Sequence, residues 1–396
     1  MFVAWLAGLC LLVVVESRLL VPRRPFPAAF RDVVGSWDAA WLRSIAHFGY
    51  QWNGNARTDQ NVAFLPLYPL VVRAVHAVSG LSYTTSGFAA SVVFQGMFLV
   101  VLAVLVAPDE ASTGDSPETV PAEGGADRPG ASWRSQGTVV VVLAAAYPAS
   151  VFAIQGYALS LTMLLVTAGL LMIRRGRLTL AALFFGLGTA ADPAALAVPV
   201  GYALFEWVAS GSLLHPIRPR VLARELLGVG GFLASMAYFG IRFHDPLAKL
   251  QAGQAWFPHR TLGQVLTALV TFRAVGHGLT SFFVVAGAKP FSYTLDSIVL
   301  VALIATIALV WWRGGFGWEV TIPTVGLLPL LLQAAEYGTS YSITRLSYPL
   351  WLALVLHRWV RRQLATRPAV VGGILAAQGL VLAVWTVLLV QGRWVN

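Results

Sequence analysis

One carboxylate, Asp38, stands between Trp37 and Trp41 in the stretch Ser36–Tyr50. Trp37, Trp41, Ile45 and Phe48 recur at spacings of four, four and three, the repeat of one helix face. Such a helix lies along a bilayer with its rings among the headgroups, where tryptophan is favoured. An acid held there, beside lipid and wetted from one side, suits proton transfer from a lipid-linked substrate. The plainer reading is an interfacial helix whose Asp38 caps or solvates its first turn.

The surroundings of that acid follow from composition. The chain has 396 residues, 57% hydrophobic and only 11% charged, and a mean hydropathy of +0.72. This excludes a soluble domain and describes an all-α polytopic membrane protein. Six of the 17 acids (Asp109, Glu110, Asp115, Glu118, Glu123 and Asp127) share one polar loop, so the membrane body holds few carboxylates. The net charge of +10 is carried by arginine, Lys249 and Lys289 being the two lysines. Loop charge of this kind sets topology and attracts anionic lipid or phosphate. No soluble basic face is visible for a nucleic-acid partner. Cys10 lies in an apolar run, which excludes a disulfide framework and a thiol site.

Residues 2–22 are apolar, broken by Glu16 and Arg18, and read as a retained first span, not a signal peptide. A long polar-aromatic loop, 17–83, then carries two interfacial amphipathic helices. The second opens at Phe64-Leu65-Pro66-Leu67-Tyr68-Pro69, with Phe64, Leu67, Tyr68, Val71, Val72 and Val75 on one face and Arg73 and His76 off it; a short span is the alternative. Apolar segments follow at 84–107, 137–153, 157–173, 178–191, 194–209, 226–242, 293–312, 319–335, 346–360 and 369–390. Tyr147-Pro148 should end or bend the helix it sits in. Residues 262–287 are moderately apolar and carry Arg273 and His277, which suits a surface position. Residues 108–136 have no apolar period and read as a disordered cytoplasmic loop. About eleven spans result, in a single membrane domain over 1–396.

With a cytoplasmic N-terminus, the short arginine-bearing loops at 174–177, 211–225, 313–318 and 357–368 all fall inside. Asp38, His47, Tyr50, Tyr68, Tyr157, Asp192, Asp245, Gln254, Trp256, His259 and Arg345 then fall outside. Clustering on one side argues for a site at the outer leaflet, whereas a transporter places polar groups at the midplane or on repeats. The competing account is that outer loops are simply polar.

At these residues the chain resembles a known family. Trp37-Asp38-Ala39, then Ile45-Ala46-His47-Phe48-Gly49-Tyr50, then Ala63-Phe64-Leu65-Pro66-Leu67-Tyr68-Pro69 resemble the signature of the PIG-V-like mannosyltransferases of the GT-C superfamily. Tyr147-Pro148-Ala149-Ser150 through Tyr157-Ala158-Leu159-Ser160, Asp245-Pro246-Leu247-Ala248 through Gln254-Ala255-Trp256, and Arg345 with Tyr348-Pro349-Leu350 follow in the family's order. The resemblance implies a GT-C-like fold and transfer of a sugar, mannose, from polyprenyl phosphate to a glycolipid or polysaccharide acceptor. Inversion at the anomeric carbon goes with it, and Asp38 is the implied general base. The leaving phosphate needs positive charge, for which Arg345 and Arg260 are the outer-face arginines; either can equally be a headgroup anchor. Trp37, His47, Tyr50 and Tyr68 are further substrate-binding candidates, against ordinary interfacial packing for the last three. Tyr157, Asp192, Asp245, Gln254 and Trp256 complete the set, Asp245 being equally suited to shaping a turn and Trp256 to the headgroup belt.

The chain departs from the family pattern twice. Leu159 stands where an acid is usual, and Asp192-Pro193 where Arg-Pro is common. If the two positions are neighbours, an acid lost is offset by an acid gained; otherwise the donor pocket has drifted and the sugar is not mannose, or catalysis has been lost, against which the intact Asp38 argues. No metal-binding spacing occurs outside the disordered loop, so neither metal nor cofactor is expected. The Ala/Val-rich, arginine-dominated composition fits a bacterial, actinobacterial, plasma membrane, with membrane lipid as surroundings. Two other classes remain: a non-catalytic partner in glycan assembly, and a lipid-linked-sugar transporter.

Overall fold

A computed structural model describes residues 2–20, 26–107, 133–256, 261–284, 288–337 and 342–391. All secondary structure among them is helical, as a bilayer demands of a backbone that must satisfy its own hydrogen bonds. The loop expected over 108–136 lies outside the described residues except at its end, where Trp133–Gln136 already belong to a helix.

The first part of the chain comprises α1 (Phe2–Leu20), α2 (Phe26–Gly35), α3 (Asp38–Phe48), α4 (Leu67–Ser79) and α5 (Tyr83–Val106). The expected amphipathic helices are α3 and α4. In α4 the apolar face is as read, with Tyr68 and Val72 buried and Phe64, Leu67, Val71 and Val75 packed around them. In α3 the face is rotated. Ala39, Leu42, Ile45 and Ala46 are buried, Phe48 is exposed, and Trp37 precedes the helix. That face packs against α4 and α5, while Trp41 is half-buried and Phe48 exposed beside it.

Next come α6 (Trp133–Ala146), a 3-10 turn Pro148–Ile154, α7 (Leu159–Arg174), α8 (Leu178–Ala191), a 3-10 turn Pro193–Leu196 and α9 (Ala197–Ser210). Then follow α10 (Pro219–Gly228), α11 (Gly230–Phe243), α12 (Ala248–Gly253), α13 (Leu262–Val270) and α14 (Arg273–Val284). The chain continues with α15 (Ala288–Arg313), α16 (Trp318–Tyr337), α17 (Ile343–Leu346), α18 (Tyr348–Leu356), α19 (Arg358–Thr366) and α20 (Pro368–Val390).

Among the described residues, five segments are long and apolar enough to cross a membrane: Tyr83–Val106, Pro193–Ser210, Phe291–Arg313, Trp318–Glu336 and Pro368–Val390. Two bent pairs raise the number to seven if each is one span: α6 with the turn after it, bent by 65°, and α10 with α11, bent by 67°. The first bend falls at Tyr147-Pro148, as the sequence requires. Of the remaining expected spans, α1 has 19 residues but is not among these segments, and the others are shorter. Helix α7 has 16 residues and α8 has 14, so even α7 reaches only about 24 Å against a hydrocarbon core of about 30 Å. The run 346–360 is divided by Pro349 and by His357, whose Nδ1 accepts the Trp359 N–H (3.3 Å) to start α19. Residues 262–287, unassigned from sequence, hold α13 and α14.

Helices α7 and α8 pack antiparallel, which gives the molecule two chemically distinct ends. One holds Tyr157 and Asp192; the other holds the Arg174–Arg177 link. Helix α15 spans the same distance, from Asp296, bonded to Thr344, to the Gly314 turn beside His357. Gly186 of α8 and Gly231 of α11 sit at a backbone crossing where a Cβ on either would collide with the opposite main chain.

Candidate functional site

Asp38 is the first residue of α3, and its placement rests on a strained neighbour. Trp37 has φ 58° and ψ −129°, a conformation that costs about 1–3 kcal/mol and persists only where packing over-determines it. Segment 155–157 does so. Gln155 Nε2 donates to Val33 O (2.9 Å), Gly156 N–H to Val34 O (3.1 Å), and Asp38 N–H to the Tyr157 hydroxyl (3.1 Å). Tyr157 is held in turn by Ser91 Oγ, which donates to its carbonyl (3.1 Å) and meets Tyr68 Oη (2.7 Å).

Arg345 arrives from the opposite side on the four-residue helix α17. Buried Asp296 of α15 accepts both the Thr344 N–H (2.8 Å) and the Thr344 hydroxyl (2.6 Å). The Tyr147 hydroxyl donates to Thr344 O (2.8 Å). Held in this way, Arg345 Nη1 donates to Asp38 Oδ2 at 2.5 Å. Its guanidinium carbon also lies 5.6 Å from the Tyr157 ring and 5.7 Å from Phe152. Arg345 Nε is buried with no hydrogen-bond partner among the described residues. Burial by itself would lower the guanidinium, but the charges of Asp38, Tyr157 and Asp192 outweigh it and hold it above the usual arginine range.

Asp38, Tyr157 and Arg345 line a cavity of about 180 Å³ together with Asp192, Lys249, Leu42, Phe64, Leu65, Leu159 and Leu346. Asp192 caps the Pro193–Leu196 turn, Oδ1 accepting the Ala194 N–H (2.9 Å). Burial pushes its carboxyl up, opposed by that N–H and by Arg345 and Lys249. Lys249 reaches in from α12, and Nζ donates to Ala63 O (2.8 Å). Burial lowers its ammonium to about 8, with Asp192 opposing. The cavity therefore holds two carboxylates, two cations and an apolar wall. It is smaller than the roughly 300–1,000 Å³ that encloses a whole drug-sized ligand.

Four sequence candidates thus converge: Asp38, Tyr157, Asp192 and Arg345. Leu159 and Asp192, the two departures from the family pattern, line the same space. Three others brace it. Trp37 supplies the strained turn. Tyr68 supports Tyr157 through Ser91. Tyr50 packs its ring 5.1 Å from Phe239 and donates to Phe64 O (2.9 Å), steadying the loop that roofs the cavity. Three lie elsewhere. His47 lies tilted against Tyr83 (ring centroids 4.7 Å apart) at the far end of α3. Asp245 shapes a turn, its Oδ1 accepting the Leu247 N–H (2.9 Å). Gln254 is exposed. Arg260 and the Trp256 side chain lie outside the described residues. Sequence reasoning missed Lys249 and Asp296; the rarity of lysine, and of acids within apolar runs, was the available signal. No cluster of three or more His, Cys, Asp or Glu fit to hold a metal occurs among the described residues. No family model, curated protein or solved structure matches this chain.

Proposed function

We propose that the protein is a membrane glycosyltransferase of GT-C-like fold, in which α1, α7 and α8 add further crossings to the longer spans, toward the roughly eleven expected. It transfers a sugar, mannose, from polyprenyl phosphate to a hydroxyl of a glycolipid or polysaccharide. The observation that carries this reading is the Asp38–Arg345 pair on a cavity that also holds Lys249. A carboxylate for the acceptor proton and two cations for a phosphate are the groups such a transfer requires.

In the resting cavity Arg345 occupies the base. The donor phosphate draws the guanidinium to itself, completes its unpartnered Nε, and frees Asp38. The acceptor oxygen then attacks the anomeric carbon. Its proton passes to an Asp38 carboxylate oxygen, the bond from that carbon to the phosphate oxygen breaks, and polyprenyl phosphate leaves with its charge held by Arg345 and Lys249. Attack from the face opposite the leaving group inverts the configuration. The segregation of the cavity from the Arg174–Arg177 end supports a site on the extracytoplasmic face, since arginine-rich short loops stay inside.

The test is purified protein with radiolabelled polyprenyl-phosphate-mannose and a membrane lipid extract. Wild type should form a labelled product, and Asp38→Asn should lose about 10²–10⁴-fold of the turnover while keeping its helical spectrum. Unchanged turnover in folded Asp38→Asn removes the base. Movement of labelled lipid in proteoliposomes with no new glycosidic bond points to a transporter instead.

A further inference from the structure

Asp38 and Arg345 bond to one another, but the other two charges of the cavity do not. Asp192 and Lys249 both line it, and each feels the charge of the other. Among the described residues no hydrogen bond or ion pair joins them. Asp192 bonds through Oδ1 alone, which accepts the Ala194 N–H (2.9 Å), and Lys249 Nζ donates to Ala63 O (2.8 Å).

Both anchors are backbone groups on fixed turns. Asp192 stands immediately before Pro193, whose ring locks the start of the Pro193–Leu196 turn. Ala63 ends the 3-10 turn Asn61–Ala63. Asn61 ties that turn down: its Oδ1 accepts the Gln51 N–H (2.8 Å) and its Nδ2 donates to Gly49 O (3.0 Å). The carboxylate and the ammonium are thus held in place instead of collapsing onto each other. Burial pushes the Asp192 carboxyl up and the Lys249 ammonium down, the directions expected of charges that lack a close partner.

Few groups fit between them. A carboxylate or phosphate there would be repelled by Asp192, and an ammonium by Lys249. A hydroxyl satisfies both, since its O–H donates to the carboxylate while a lone pair accepts from the ammonium, with no change in net charge. An ammonium has three N–H donors, and Ala63 O takes one of those on Lys249. The same group can therefore hold the donor phosphate and an oxygen next to it, and that adjacency assigns the hydroxyl to the transferred sugar. Given the polyprenyl-phosphate donor proposed above, on which this subsite rests, we propose that Asp192 and Lys249 bind one hydroxyl of the transferred sugar between them. They thereby select a neutral sugar over amino sugars and uronic acids at that position.

The probe is a polyprenyl phosphonate of mannose, whose carbon linkage cannot be transferred, together with the analogues lacking each sugar hydroxyl in turn. Binding to the purified full-length protein is measured by isothermal titration calorimetry, which needs no turnover. Wild type should bind one deoxy analogue about tenfold to a hundredfold more weakly than the parent, the worth of a hydrogen bond to a charged group. In Asp192→Asn and in Lys249→Met that gap should shrink at least about fivefold, as coupled partners require. A full gap in both variants overturns the subsite, and so does a wild-type series that binds alike, in which case the donor class stands without it. Wild type that binds no member, the parent included, ends the donor reading and the subsite together. Should the variants not fold, wild type above about pH 8 takes their place, since the ammonium is lost there. The gap should narrow, and a gap that stays the same assigns the hydroxyl to other groups. Analogues carrying an amino or a carboxyl group at that position should bind no better than the deoxy compound, and tighter binding of either refutes the charge selection.

Discussion

Two carboxylates and two cations face one cavity, and Lys249 couples it to pH. Lys249 titrates at about 8 in the folded protein against an ordinary 10.5. Between those values the unfolded chain binds more protons, so the burial penalty of this lysine is relieved as pH climbs through the window. In the proposed transfer its grip on the donor phosphate moves the opposite way and is lost as the ammonium deprotonates. Donor kcat/KM should therefore fall above about pH 8 while thermal stability does not, which separates lost charge from unfolding. Lys249→Gln should lower kcat/KM at neutral pH and abolish that alkaline limb. Asp192 is the second test. It shares the cavity with Leu159, so Asp192→Ala should lower turnover at least tenfold, about 1.4 kcal/mol in the barrier. Turnover equal to wild type would mean that Asp192 only caps the Pro193–Leu196 turn.

At the scale of elements, short pieces clamped by side chains hold the site. Helix α17 is four residues long, too short to be stable alone, and depends on Asp296 and Tyr147. Helix α3 depends on α4, where Arg73 Nε donates to Ala46 O (2.7 Å) and Nη2 to Ile45 O (3.3 Å), closing carbonyls at the α3 C-terminus. Removing a charged donor from such carbonyls costs about 1.5–3 kcal/mol. Arg73→Ala should accordingly lower the unfolding temperature, measured by circular dichroism, and leave the Lys249 alkaline limb in place, because Arg73 contacts the end of α3 remote from Asp38.

For the molecule as a whole, polarity is the organising property. The helices that carry Tyr157, Asp192 and Asp296 toward the cavity carry arginine or tryptophan at their other ends. Cysteine placed at Gln363 should therefore react with an impermeant maleimide only from the cytoplasmic side, and cysteine at Asn55 only from the other, once Cys10 is replaced by Ser. Labelling of both from one side would break the topology.

The membrane class, the helical elements and the bend at Tyr147-Pro148 are properties of the sequence itself. Apolar period, run length and proline act locally, and apolar runs of about 20 residues in a bilayer form internally bonded helices. Asp38 was legible for the same reason, as a rare acid in an aromatic, apolar setting. Tertiary structure decided which candidates meet. Arg345 lies 307 residues from Asp38, and no local rule joins them. The same holds for Lys249 entering the cavity, for Asp296 fastening α17, and for which face of α3 packs inward, Ala39, Leu42, Ile45 and Ala46 being the buried residues. Those outcomes depend on which helix faces approach closely and bring opposite charges together, and such contacts exist only once distant segments are packed.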